Sequence, residues 1–405
     1  MSDSYHRLLL FSIAAILISL IGMLPPERSH QNNTDEFYYL QYAHHVAAHG
    51  TQGVRNLLHW YAQSEEHRYH PAPIRMGYLF LASTAVKWLG VSFSTLTCIS
   101  YCAFVLFCIA CYYYSKKIFS RDVALCLTFL LCASPLISGM SRLVLTESVL
   151  NLFWGLTVWA FLDYLNQRSL GKIVCLVLFR TLSLLVKESS VLLLFFIVIV
   201  MLVFARYFKL VVPIKDLAII FLMPAILAFM VYWAVLGGWQ NILLMLHTMY
   251  LTHFVDQGNL YATMLSSGPW FRYFVDFILL SPVISLIGIG YAGFLICDSQ
   301  RDWKQRYFLV YFITIMAPLS LLSHTKVVRF VINLEMVLVL FSVFALVRFF
   351  RGDIRQGLWM RALLCLLFLF TVSFQSFYKM FVLNNMLDPI TYHMMVIHGF
   401  IPPLF

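Results

Sequence analysis

The feature that most constrains this chain is a succession of apolar runs, each about as long as a bilayer's hydrocarbon core is thick. They lie near 8–24, 94–114, 122–140, 148–165, 172–187, 190–208, 214–236, 272–296, 305–323, 330–349 and 361–382. A helix rises about 1.5 Å per residue, so roughly 20 apolar residues cover the ~30 Å of hydrocarbon. With 61% hydrophobic and only 11% charged residues, a soluble domain of this composition would aggregate. The reading is an all-α, polytopic transmembrane helical bundle of about eleven spans, forming one domain over residues 1–405.

A further stretch, 73–90 (PIRMGYLFLASTAVKWLG), is interrupted by Arg75 and Lys87. The distribution of Lys and Arg decides how to treat it, because short cytoplasmic loops collect positive charge. If 73–90 does not span and the N-terminus is cytoplasmic, the basic groups at 116–121, 168–172, 206–215, 301–306 and 348–361 all fall inside. If it does span, every later loop flips and they fall outside. The stretch is therefore expected to lie in or dip into the outer leaflet. That places two long extracytoplasmic loops at 25–93 and 237–271, the first carrying two short amphipathic juxtamembrane helices, TDEFYYLQYAHHVAAHG and VRNLLHWYAQSEEHRYH. Met1 to Leu24 carries Arg7 and an apolar run but no small-x-small cleavage site before Pro25 and Pro26, so it reads as an uncleaved first span.

The same sorting of Lys and Arg explains the formal charge of +10 by topology and argues against a nucleic-acid partner. All nine cysteines lie in or beside apolar runs, where they read as small core residues; Cys108 and Cys111 have CxxC spacing but neither His nor carboxylate neighbours. His45 and His49 stand four apart, yet two histidines without a placed carboxylate are a weak metal signal. Arg180 lies mid-span with no partner nearby in sequence.

Charges at a membrane boundary are costly and point to function. The outer ends of the spans carry Asp35, Glu36, His70, Arg75, Arg142, Glu147, Lys187, Glu188, Arg272, Asp276, Lys326 and Arg329. Taken singly, each pair reads as an interfacial salt bridge or a snorkelling side chain. Taken together, carboxylates and cations on one face suit a reaction in which an acid deprotonates a nucleophile while Lys or Arg holds a phosphate leaving group.

Those residues sit in stretches that resemble the GT-C glycosyltransferase superfamily, in the branch of protein O-mannosyltransferases and the lipid A aminoarabinose transferase. Asp35 and Glu36, followed by FYYLQYAHHVAAHG, resemble the family's DE motif and juxtamembrane helix. HPAPIRMGYLFLASTAVKWLG (70–90) is similar to its HPP-type helix, SRLVLTESVLNLFWGL (141–156) to its RLVLPD stretch and LSLLVKESSVLLLF (182–195) to its ALLTKG segment. HTKVVRFVINLEMVLVL (324–340) is a fainter likeness to a late K-RY-LP segment.

The resemblance implies an inverting membrane glycosyltransferase that moves a sugar from a polyprenyl-phosphate donor to a glycan, lipid or protein acceptor. It implies a bacterial inner membrane location with the site on the periplasmic side. Asp35 matches the general base; Glu36 and Glu147 complete the catalytic acids, Glu147 standing where the family has Asp. His70, Arg75, Arg142, Lys187, Arg272, Lys326 and Arg329 are the candidates for the donor phosphate; Glu188 replaces a family glycine and Phe330 a tyrosine. A divalent metal stays open because the requirement differs among relatives. The competing reading is a transporter or lipid-linked saccharide flippase. Transporters place their site near the midplane and often show paired halves. Here the charges gather at one rim and no internal repeat is visible.

Overall fold

The computed structural model describes residues 3–24, 35–255, 265–298, 302–322, 326–350, 357–383 and 388–399. Parts of both long loops, 25–34 and 256–264, and the basic residues Arg301, Arg351 and Arg355 lie outside them. The described chain is helical: α1 (Asp3–Ile21), α2 (Asp35–Ala62), α3 (Glu65–Arg68), α4 (Met76–Leu89), α5 (Phe93–Ile118), α6 (Arg121–Leu131), α7 (Pro135–Met140), α8 (Glu147–Asn166) and α9 (Leu170–Val186). There follow α10 (Leu192–Phe208), α11 (Ile214–Leu236), α12 (Trp239–Tyr250), α13 (Arg272–Leu280), α14 (Pro282–Cys297), α15 (Trp303–Leu321), α16 (Ile332–Phe350), α17 (Gly357–Phe377) and α18 (Pro389–Ile397).

Every expected span falls on helix, but the count of eleven is not confirmed. Among the described residues six helical stretches are long and apolar enough to cross a membrane: 93–118, 147–166, 188–208, 214–236, 328–350 and 361–383. In two of the remaining runs, hydropathy merged what proline separates. The run 122–140 breaks before Pro135 into α6 and α7, and 272–296 breaks at Ser281 and Pro282 into α13 and α14. Proline fits the first turn of a helix, where its missing N–H costs nothing, and here each stands at the first position of a new helix. The chain is thus an integral membrane protein with several apolar spans. The helix within 73–90 has 14 residues, or about 21 Å, too short for a full crossing.

The first helix expected in the first loop and the beginning of the second join as α2 across a kink at Gly50, whose φ of 58° and ψ of −137° suit only a residue without a side chain, and the rest of the second is the separate turn α3. On one side of the kink Tyr39, Tyr42, Ala43 and Val46 are buried; on the other Val54, Leu58 and Tyr61 are, the three-and-four spacing of an amphipathic face.

α8 and α16 form the centre of the bundle, α8 burying nearly every residue and α16 all of Ile332–Phe344, whereas α10, α11 and α17 are mostly outside the core, as lipid-facing helices would be. Cys108, Cys111 and Cys132 are core residues as expected; Cys98, Cys102, Cys175, Cys297 and Cys365 are exposed instead, on apolar faces turned away from the core. All nine are free thiols. Basic groups gather at the Asp163 end of α8: Lys117 and Lys172 both bind Asp163, at 2.7 and 3.1 Å, and Lys304 donates to the Ile118 carbonyl. Glu147 starts the same helix, about 24 Å away.

The structure also explains Arg180. Pro224 lies inside α11 and has no N–H, so the carbonyl of Ile220, four residues earlier, loses its helical donor. Nη1 of Arg180 supplies one at 2.5 Å, and the guanidinium packs over Phe221. Arg180→Leu is expected to lower stability by about 1–3 kcal/mol through the orphaned carbonyl. In a Pro224→Ala background, where the helix restores that bond, thermal unfolding should show most of this loss gone.

Candidate active site

Four helix ends meet beside the start of α8. α9 stops at Val186 because Lys187 is extended (φ −159°, ψ 138°), which turns its side chain toward α8. There Nζ of Lys187 lies 2.8 Å from Oε1 of Glu147, with both side chains almost wholly buried. The ammonium also sits 4.6 Å from the centroid of the Phe330 ring, a cation–π contact. Glu147 is in the first turn of α8, where the positive end of the helix dipole favours a carboxylate.

Arg329, on the short turn Val328–Val331 that leads into α16, joins the two acids. Its Nη2 is 2.7 Å from Oδ2 of Asp35 and its Nε is 3.8 Å from Oε1 of Glu147. A second pair lies alongside. The guanidinium of Arg75 binds Glu188 at 2.8 and 3.3 Å and donates to the hydroxyl of buried Tyr39. Gly77 makes this approach possible, since a Cβ there would stand 3.1 Å from the backbone of Leu185 and Val186.

The cluster therefore holds Asp35, Glu147 and Glu188 against Arg75, Lys187 and Arg329, with positive and negative charge in balance. Exposure separates the three acids. The side chain of Asp35 is 37% exposed, against 19% for Glu188 and 3% for Glu147, so Asp35 is the most open of the three and Glu147 the most deeply buried. Arg329 and Arg75 retain partial exposure at 15% each, enough to meet a bound anion.

His70 adjoins this cluster. Its ring stacks on Tyr38, and Nε2 lies 2.9 Å from the Tyr38 hydroxyl. Burial lowers the pKa of His70 from its ordinary value, and neighbouring His67 lowers it further, which favours the neutral ring at pH 7. A cleft beside Arg75 is lined by Tyr61, His70, Glu188, Thr248 and Thr252.

The remaining predicted residues are placed elsewhere or differently. Glu36 accepts the Val144 N–H at 2.8 Å and so braces the segment leading to Glu147. Arg142 donates to the carbonyls of Met23, just past α1, and Phe381, in the turn Tyr378–Leu383 that follows α17. Arg272 and Lys326 belong to a second buried cluster with Asp276 and Asp388. Sequence reasoning missed Tyr39 and Asp388; the buried tyrosine face of α2 was a usable signal for the first, and the second was marked only as a helix cap, by an Asp directly before Pro389. Among the described residues no three His, Cys, Asp or Glu side chains gather as metal ligands.

Known structures share this architecture. ArnT from Cupriavidus metallidurans in the apo state superimposes with a TM-score of 0.63 at 15% identity, over 90% of this chain and 63% of that one. The same protein bound to undecaprenyl phosphate matches at 13% identity, TM-score 0.63, with the same coverage. The oligosaccharyltransferase of Archaeoglobus fulgidus in the apo form matches at 12% identity, TM-score 0.62, over 93% of this chain and 56% of that one. The chain has the GT-C fold.

Residues 70–233 also match the family model described as Dolichyl-phosphate-mannose-protein mannosyltransferase, which begins on His70 and takes in Arg75, Glu147 and Lys187. The resemblance drawn from the motifs to the GT-C superfamily is thereby borne out. A search of curated proteins finds no match. The chain spans less than two thirds of the length of the GT-C structures it matches.

Proposed function

We propose that this GT-C protein is a membrane glycosyltransferase that moves a sugar from a polyprenyl-phosphate donor to an acceptor hydroxyl or amine at the extracytoplasmic face. The observation that carries the reading is the exposed carboxylate of Asp35, held 2.7 Å from Arg329, with that arginine in turn beside the buried Glu147–Lys187 pair. A base that meets the acceptor and cations that meet the leaving phosphate are the two elements a direct displacement at an anomeric carbon requires.

In this reading the donor phosphate competes for the guanidinium of Arg329 and frees Asp35. Asp35 then takes the acceptor's proton as the acceptor oxygen or nitrogen bonds to the anomeric carbon. The bond from that carbon to the phosphate oxygen breaks, and polyprenyl phosphate leaves with the electron pair. Arg329 and Arg75 stabilise the charge that grows on the phosphate, where fixed cations act most strongly. Glu147 holds Lys187 and Arg329 in place without meeting the substrate. The GT-C relatives support the donor class: the ArnT structure above holds undecaprenyl phosphate, and an AglB structure from Archaeoglobus fulgidus holds an inhibitory peptide and a dolichol-phosphate.

The test is a panel of polyprenyl-phosphate sugars offered to the purified protein in nanodiscs together with isolated envelope glycans, lipids and proteins. Release of polyprenyl phosphate in step with a glycosylated acceptor is expected for one combination. Transport of the donor across a sealed vesicle, with no release, would favour the flippase reading instead.

A further inference from the structure

The turn that carries Arg329 is fastened from behind by buried ionic groups that take no part in the proposed chemistry. Asp388, 2% exposed, places Oδ2 2.7 Å from the N–H of Val328, the residue before Arg329. Its other oxygen accepts the Thr391 N–H at 2.7 Å, capping α18, and lies 3.4 Å from Nη2 of Arg272. Arg272 extends the clasp to the Thr391 hydroxyl at 2.8 Å and to the carbonyls of Leu265 and Ser267 at 3.2 and 2.5 Å. Lys326 closes it from the other side: Nζ donates to the carbonyls of Gly268 and Pro269 at 2.8 and 2.9 Å, and its own N–H meets the Ser266 carbonyl at 2.6 Å.

Three segments far apart in sequence, 265–272, 326–331 and 388–391, are thus locked around one peptide unit. The N–H groups at a helix entrance have no intrahelical partner, and a buried orphan there is costly. A carboxylate gives the Val328 N–H a charge-assisted acceptor and so fixes the backbone from which the Arg329 side chain departs.

We propose that Asp388 is a positioning residue for Arg329, acting through the Val328 peptide, with Arg272 and Lys326 holding the clasp together. The proposal rests on the reading of Arg329 as a contact of the donor phosphate. A misplacement of the guanidinium by about an ångström is enough to lose a directed contact with phosphate.

The experiment measures binding of undecaprenyl phosphate to the full chain in nanodiscs for the wild type, Asp388→Asn, Arg329→Ala and the double variant. Asparagine keeps the size of the side chain but offers one oxygen where the carboxylate offered two. Asp388→Asn is expected to weaken binding about tenfold and Arg329→Ala up to about a hundredfold, the range for hydrogen bonds to charged groups. If Asp388 acts through Arg329, the double variant should bind within about twofold of Arg329→Ala alone. A merely structural role would make the two losses multiply, and that result, or unchanged binding by Asp388→Asn, overturns the proposal. Lys326→Met, combined with Arg329→Ala in the same way, carries the comparison if Asp388→Asn does not fold. A wild type that does not bind the lipid phosphate removes the functional reading and this one with it; multiplying losses on a wild type that binds remove this one alone.

Discussion

Asp35→Asn should lower turnover by about three orders of magnitude, the middle-to-upper range for loss of a positioned general base. Donor affinity should hold or improve. The reason is the 2.7 Å contact between Asp35 and Arg329: the carboxylate and the donor phosphate compete for one guanidinium, and asparagine competes poorly. Single-turnover assays and lipid-phosphate binding, measured on the same preparation, separate the two effects. Parallel loss of rate and affinity would instead make Asp35 a binding residue, and full turnover would refute its assignment as base. Little stability should change, since the Asp35 side chain is 37% exposed and solvent-facing ion pairs contribute little.

Glu147→Gln is expected to act in the opposite way, on stability first. The carboxylate is buried between Lys187 at 2.8 Å and Arg329 at 3.8 Å, so its removal leaves a buried ammonium facing a guanidinium. Breaking a buried pair by removing one partner costs about 3–5 kcal/mol. Thermal unfolding of the purified protein should show a large drop in midpoint. Adding Lys187→Met should recover more than half of it, because no uncompensated charge then remains at that point. If Glu147→Gln unfolds at the wild-type midpoint but has lost turnover, Glu147 meets the substrate and the division between an exposed base and a buried brace is wrong.

Much of the fold was legible because hydropathy and helical periodicity are local sums. The apolar runs all became helix, the kink in α2 fell on Gly50 between the two expected amphipathic halves, and the interrupted stretch 73–90 became a helix too short to cross. The number of crossings was less legible. A hydropathy window averages over Pro135 and Pro282, while a helix cannot run through either without losing a backbone bond.

The candidate site divides along the same line. Residue type and position at the ends of apolar runs were enough to single out Asp35, Glu147, Lys187, Arg75 and Arg329, since ionisable groups there are costly to keep. Which of them touch was a tertiary matter. Asp35 and Arg329 are 294 residues apart and meet only because the fold brings the first residue of α2 to the turn that leads into α16. Arg272 and Lys326 carry the same charge at the same kind of position, yet they clasp the Arg329 turn from behind. Arg180 found its partner in a carbonyl that Pro224 had left without a donor.

By itself, then, the sequence determined a helical membrane bundle and the residues able to do chemistry at one end of it, because burial of apolar runs and the cost of charge in hydrocarbon act residue by residue. The tertiary structure decided where the apolar runs break into separate helices, which cations pair with which acids and which carboxylate stays exposed. Those outcomes depend on how helix faces meet, and ion pairs a few ångströms long form only between faces that packing has already brought together.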